Sequence, residues 1–472
     1  MTWLLAWGTP AGELVRALGV GVGFLGVLAA AEIWKRHASP PPEWPRKLVH
    51  VGGGLLSASF PWLFSTHWTV LLLCAATVGV LAIGTRFGFL GSVVGVGRRS
   101  AGELYFPMST YLLFLLAGSD PVFYLISLFA LVVSDTAAAL VGSAYGRHGY
   151  TVATDRKSLE GSVTFFLATF LGVLLILLLG TQIERAAGIL IAAQLALLVT
   201  SFEAISMRGN DNLIVPLATY YLLVKLTPGH WQGIGIQLAV QFAMLVGMVL
   251  LAWRSRFLTL AGAIAAHLVL YAAFSLGGPV WTVAPVMVLM GSFLFDRTSA
   301  GTQEAKGALR EVREVFYVGI VSVALLFLDN TFATLVDPAH GLATGHPFFV
   351  PFVGSFAATL AIVGLRALRW RRQVRSGVAN AADSVAVIAL ALLIGWLAVA
   401  PITLWLGPSG LGLWPLVVTA ATCVLAVGLY WLAGRVLRPH PIGAWDLRLQ
   451  ALCVAISSGC AFPVWLRISE SL

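Results

Sequence analysis

Asp135 is the residue whose position most demands a chemical explanation. It lies inside the apolar run Leu131–Gly146, about eleven residues before the run ends, which is about 16 Å at helical rise. Ala137, Ala138, Ala139, Gly142, Ser143 and Gly146 surround it with little side-chain bulk, and such residues let helices approach closely. Packing does not explain the carboxylate itself. In hydrocarbon it needs water, a cation or a hydrogen-bond donor.

The connector Gly146–Ser162 follows directly. It carries Arg147, His148, Arg156 and Lys157, and then Ser158, Glu160, Gly161 and Ser162 immediately before the next apolar run. Backbone N–H groups at a helix start attract phosphate, serine hydroxyls add donors, and Arg147 and Lys157 supply charge to a polyphosphate. Glu160 among so many donors points to a divalent cation, because Mg²⁺ is held by a few carboxylates together with substrate phosphates. Two smaller clusters join them. Arg46, Lys47 and His50 precede Gly52–Gly54, with Arg46 and His50 one turn apart on a helical face. Glu203, Asp211 and Asn212 supply further oxygen ligands.

The elements that position these groups must be membrane helices. Of 472 residues, 59% are hydrophobic and 10% charged, with mean hydropathy +0.90. Soluble domains carry roughly 25% charged residues, and disordered chains are less apolar still, so both classes are excluded. At ~20 residues per crossing the sequence predicts an all-α, polytopic integral membrane protein of about sixteen transmembrane helices. The apolar runs lie near 17–34, 48–66, 69–86, 104–118, 121–146, 162–180, 186–205, 211–226, 234–252, 257–276, 280–295, 314–328, 348–366, 384–406, 413–434 and 449–467.

The net charge of +9 reflects topology rather than a nucleic-acid partner. With the N-terminus outside, all but four of the 29 basic residues fall in cytoplasmic loops, as membrane insertion favours. The exceptions are Arg16, Arg185, Lys225 and Arg467. A multi-pass location in the cell inner membrane is therefore expected. The connector Arg297–Glu314 suits either a helix lying on the bilayer or a solvated loop. Cys74, Cys423, Cys453 and Cys460 form no CxxC pair and read as packing residues. Gly21–Gly26 matches a dinucleotide pattern, but inside an apolar helix instead of after a strand. The polar groups concentrate in residues 30–225, near the cytoplasmic ends of their helices. Two parts follow: 1–228, with about eight helices and the polar centre, and 229–472, a multi-helix domain of unassigned role.

In three blocks the sequence resembles the polyprenol and phytol kinase group, with dolichol kinases and CTP-dependent diacylglycerol kinases, a group related to the CDP-diacylglycerol synthases. These are Arg46-Lys47 with His50 and its glycines; Asp135 through Ala138, Gly142, Gly146 and Arg147 into Lys157-Ser158 and Glu160-Gly161-Ser162; and Glu203 followed by Asp211-Asn212 and Pro216. The resemblance covers slightly under half of the chain. It implies phosphorylation of a membrane isoprenoid alcohol by CTP with Mg²⁺ or Mn²⁺, at a site open to the cytoplasm. Asp135, Arg147, Lys157 and Glu160 are then expected to carry catalysis. Arg46, Lys47, His50, Gly146, Arg147, Lys157, Ser158, Gly161 and Ser162 are expected to bind the nucleotide. Asp135, Glu160, Glu203, Asp211 and Asn212 are candidate metal ligands, and Asp135 as base or as ligand is left open. Residues 258–318 resemble in part the membrane family that includes phytyl-phosphate kinases. That family's acidic motif is absent around Gly354–Leu360, so a structural or accessory role is expected for the second half. A phosphatidate cytidylyltransferase, a diacylglycerol kinase and a transporter are the alternative readings.

Overall fold

The computed structural model describes residues 9–41, 43–94, 102–117, 120–153, 155–255, 257–298, 311–335, 346–376, 385–403, 412–437 and 444–471. Among these residues sixteen long helices occur. The first eight are α1 (Pro10–Ala38), α2 (Glu43–Ala58), α3 (His67–Arg86), α4 (Gly102–Ala117), α5 (Pro121–Tyr145), α6 (Leu159–Gly180), α7 (Arg185–Ile205) and α8 (Asp211–Leu226). The remainder are α9 (Trp231–Ser255), α10 (Leu260–Gly277), α11 (Pro279–Thr298), α12 (Val312–Leu335), α13 (Phe349–Ser376), α14 (Val385–Val399), α15 (Trp414–Leu437) and α16 (Ala444–Ser471). Eleven of them are long and apolar enough to cross a bilayer, and Pro279–Phe295 and Val385–Val399 are shorter apolar helices.

Each apolar run read from the sequence becomes one of these helices, because in lipid every backbone N–H and C=O must be satisfied within its own segment. The ends differ. The second run ends at Ala58, and a separate turn at Phe60–Leu63 follows. The sixth starts at Leu159 instead of 162, because Ser158 caps it by accepting a hydrogen bond from the Gly161 N–H at 3.1 Å. Hydropathy alone trims polar first turns. Most of the Arg297–Glu314 connector lies outside the described residues.

The chain divides into two compact units, Met1–Val240 and Gln241–Leu472. In the first, α5 is the central element because it serves two cores. Ile126, Ala130 and Ala138 pack with Phe165, Ile191, Leu195 and Val215 of α6 to α8. Tyr124, Leu128, Leu131 and Val132 pack instead with Val20, Cys74, Leu113 and Phe114 of α1, α3 and α4. A turn of π-helix at Ala130–Ser134 ends just before Asp135. Such turns insert an extra residue into a helix and frequently sit at functional positions. α2 crosses α5 at this level with no room for a side chain: a Cβ on Gly54 would lie 2.3 Å from Val132.

In the second unit α13 is the hub, buried along nearly all of its apolar length. Its Arg366 donates to Asp446 of α16 at 2.6 Å. The stretch Gly354–Leu360 lies within this helix, where Ser322 and Ser355 pair at 2.7 Å. Near its start the buried Asp329 accepts from the Phe348 N–H at 3.0 Å and pairs with His346 at 2.8 Å.

Replacing Gly54 with valine should cost about 1–3 kcal/mol through overpacking. Much of that loss should return when Val132→Ala is added, as read by thermal unfolding in detergent.

Candidate active site

Two long-range ion pairs build the site. Lys47 and His50 lie three residues apart on α2, and both reach α5. Lys47 Nζ donates to Asp135 Oδ2 at 2.5 Å. His50 Nε2 lies 3.5 Å from the same oxygen and donates to the Leu131 carbonyl, within the π turn, at 2.9 Å. A carbonyl only accepts, so Nε2 carries the proton. The Lys47 and Asp135 side chains are 7% and 15% exposed, so solvent screens them little. Arg46 pairs with Glu43 at 3.5 Å, with both partners partly exposed, a contact worth little in itself.

The connector after α5 folds as a β-hairpin, β1 (Gly149–Val152) and β2 (Asp155–Ser158), in register Gly149↔Ser158 and Thr151↔Arg156. The sequence marks this segment only as a polar connector between two apolar runs. The short alternation around Tyr150-Thr151-Val152 was its one local signal. Gly142 of α5 lets the hairpin seat tightly, since a Cβ there would meet Ser158 Oγ at 3.0 Å, and Gly161 lets α6 approach α5, since its Cβ would meet the Ala138 carbonyl at 3.1 Å.

The hairpin presents Lys157 to α7. Its Nζ donates to Glu203 Oε1 at 2.6 Å and Ser206 Oγ at 2.9 Å, and also to the Glu203 carbonyl. Burial by itself lowers the Lys157 pKa, but the Glu203 carboxylate, assisted by Asp211, outweighs it and holds the ammonium above its ordinary value. Tyr150 braces the same corner, with its hydroxyl 2.9 Å from Ser162 Oγ and donating to the Ala204 carbonyl at 3.3 Å. Burial and the nearby Glu203 push that phenol up.

A cavity of about 480 Å³ opens between these pieces, lined by Asp135, Gly142, Gly146, Lys157, Ser158, Gly161, Ser162, Glu203 and Asp211, and by Arg46 and Lys47 from α2. That volume suits a small-molecule ligand. Its wall includes the N-terminus of α6, whose dipole favours an anion, although the Leu159 and Gly161 N–H groups there already donate to the His148 carbonyl and to Ser158 Oγ. Arg156 and Glu43 also line it, although sequence reading had not singled them out for the site. Arg156 was visible only as one of two adjacent basic residues.

Four expected residues are placed elsewhere. Glu160 turns to His148, accepting from its backbone N–H at 3.1 Å and pairing with its ring at 2.7 Å, so closing the hairpin accounts for the carboxylate. Arg147 is exposed and outside the cavity lining. His50 and Asn212 line a second, narrower cavity, and Asn212 Nδ2 ties α8 to α4 through the Gly102 carbonyl at 2.7 Å.

No group of three or more His, Cys, Asp or Glu side chains suited to a metal occurs among the described residues. The cavity nevertheless presents Asp135, Glu203 and Asp211. Of these, Asp135 and Glu203 are already paired with lysines. This donor set fits Mg²⁺ held by one or two carboxylates with phosphate oxygens completing its shell. It does not make a metal site from protein ligands alone.

A phytol kinase of Synechocystis sp. is 35% identical to this chain over 207 residues, which is 43% of this chain and 88% of that protein. The chain belongs to the phytol and polyprenol kinase family. The relationship spans less than half of the chain. No family profile matches it, and no solved structure does so.

Lys157→Met should lower stability by about 3–5 kcal/mol, because Glu203 is left buried and unpaired, and Glu203→Gln in the same chain should recover most of it in a double-mutant cycle of thermal melts. A raised lysine pKa contributes stability fully below the unfolded value and loses it only as pH rises through the folded one. The Lys157-dependent share of the melting temperature should therefore stay constant from neutral pH to 10.5, the ordinary lysine value, and fall only above it.

Proposed function

We propose that the chain transfers the terminal phosphoryl group of CTP to the hydroxyl of a membrane isoprenoid alcohol of the phytol, polyprenol or dolichol type. The site faces the cytoplasm of a cell inner membrane, and Mg²⁺ or Mn²⁺ accompanies the nucleotide. One observation carries this reading. A single cavity joins the hairpin, the capped start of α6 and the Lys47–Asp135 pair, so phosphate-binding groups stand beside a carboxylate set within membrane helices. The name of the Synechocystis relative supports the class of acceptor.

Phosphoryl transfer asks a protein mainly for positioning and charge neutralisation. Ser158, Ser162 and the N-terminal dipole of α6 hold the phosphates from one side, and Arg46, Arg156 and Lys157 supply positive charge around them. Lys157 stays protonated throughout the physiological range, so it is a constant cation. Asp135, oriented by Lys47 and His50, accepts the hydrogen bond of the incoming hydroxyl and takes its proton as the new O–P bond forms and CDP leaves. Asp211 is the residue that would hold the divalent ion, which when bound neutralises charge on the transferred group.

The deciding assay uses purified protein with γ-labelled CTP or ATP and a panel of phytol, geranylgeraniol, undecaprenol, dolichol and diacylglycerol. A labelled monophosphate of a prenyl alcohol, formed with CTP, is expected. A CDP-lipid with release of pyrophosphate would instead make the protein a cytidylyltransferase. Asp135→Asn should insert normally yet lower turnover at least about 10²-fold, and unchanged turnover in that variant rejects the assignment.

A further inference from the structure

The hairpin has a further hold on the segment that carries Asp211, and the chemistry above leaves it unused. Tyr150 stands opposite Lys157 in the hairpin register, and Asp155 lies two residues before Lys157 on β2. All three side chains therefore share one face of the hairpin. That face is applied to the end of α7 and the loop after it. Tyr150 donates to the Ala204 carbonyl and Lys157 to Ser206 Oγ, while Asp155 Oδ2 accepts from the Arg208 backbone N–H at 2.8 Å.

This loop is set in a conformation that its sequence resists. The Asn210 N–H donates to the Met207 carbonyl at 3.1 Å, and both residues between them are in left-handed backbone, Arg208 at φ +54° and Gly209 at φ +84°. Two positive φ values inside such a hydrogen bond mark a type I′ turn. These turns favour Asn-Gly, Asp-Gly or Gly-Gly at their centre, whereas Arg208 brings a Cβ that the left-handed region disfavours. A residue held there persists only when its surroundings impose it, and such residues gather at functional sites. Asp155 reaches in from outside the loop to bond that backbone. The turn leads straight into Asp211, the first residue of α8, whose side chain lines the phosphate cavity. Asn210 makes no side-chain cap there, so the turn sets where α8 begins.

We propose that Asp155 is a positioning residue for phosphoryl transfer: by holding Arg208 in the turn, it sets the Asp211 carboxylate against the nucleotide's phosphates and their divalent ion. This inference rests on the kinase reading above and adds a residue that touches neither substrate. One strand then does two things. Arg156 and Ser158 line the cavity, and Asp155 holds the loop that delivers a carboxylate to it.

The test compares Asp155→Ala, Asp155→Asn and the double variant Asp155→Ala with Arg208→Gly, each as intact protein in lipid nanodiscs. Hydrogen–deuterium exchange of the peptide 206–213 is followed without ligand. Mn²⁺ affinity is read by electron paramagnetic resonance in the presence of the β,γ-imido analogue of CTP. Asp155→Ala should speed the exchange and leave KM for the prenyl alcohol unchanged. It should weaken Mn²⁺ binding about tenfold or more, the effect of losing an outer partner of a metal ligand. Asparagine keeps a carbonyl oxygen for the Arg208 N–H, and glycine takes the turn without strain, so both other variants should regain most of the Mn²⁺ affinity. Unchanged Mn²⁺ binding in Asp155→Ala, or a loss that Arg208→Gly leaves unrepaired, overturns the proposal. Exchange needs neither nucleotide nor turnover. A clasp seen there in protein that binds no Mn²⁺–nucleotide refutes the kinase reading alone, whereas lipid phosphorylation with Mn²⁺ binding indifferent to Asp155 refutes the positioning role alone.

Discussion

Two lysine–carboxylate pairs hold the first unit's polar centre together, and the rest of that unit is arranged to keep them buried and matched. Lys47 with Asp135 joins α2 to α5, and Lys157 with Glu203 joins the hairpin to α7. Each charge alone would be expensive at such depth. In pairs they are tolerable, and they fix four chain segments around one cavity. A buried pair gives little net stability, but losing one partner strands the other. The arrangement therefore sets geometry more firmly than it sets stability.

Helix architecture supplies the remaining precision. The π turn at Ala130–Ser134 places Asp135 and the Leu131 carbonyl where α2 can reach both, and the absence of a side chain at Gly54 brings α2 near enough to do so. At the other end of α5, Gly142 and Gly161 let the hairpin and the capped start of α6 press against it. The small residues that sequence reading could credit only to close packing thus have a second consequence. They form a cavity wall made largely of backbone, which suits phosphate.

The two cavities of the first unit differ in polarity. One is wide, polar and bordered by a helix N-terminus, and the other is narrow and largely apolar. Arg46 and Lys47 border both. The second compact unit is organised differently, around the buried α13, and its internal polar contacts, such as Arg366 with Asp446 and Ser322 with Ser355, join helix to helix.

The sequence by itself determined the number and order of the helices, because a hydrocarbon solvent forces every spanning segment to satisfy its backbone internally and so writes each span as a local apolar run. It also marked Asp135, Lys47, Lys157, Ser158 and Asp211, since ionisable or capping groups stand out against such runs. Only the tertiary structure decided which of them meet. Lys47 and Asp135 are 88 residues apart, and Lys157 and Glu203 are 46 apart. No local spacing encodes those pairings. Glu160 shows the same limit: its position among donors resembled a metal ligand, but the hairpin turned it to His148. Charge shows in a sequence, whereas the partner that neutralises it depends on how the helices pack.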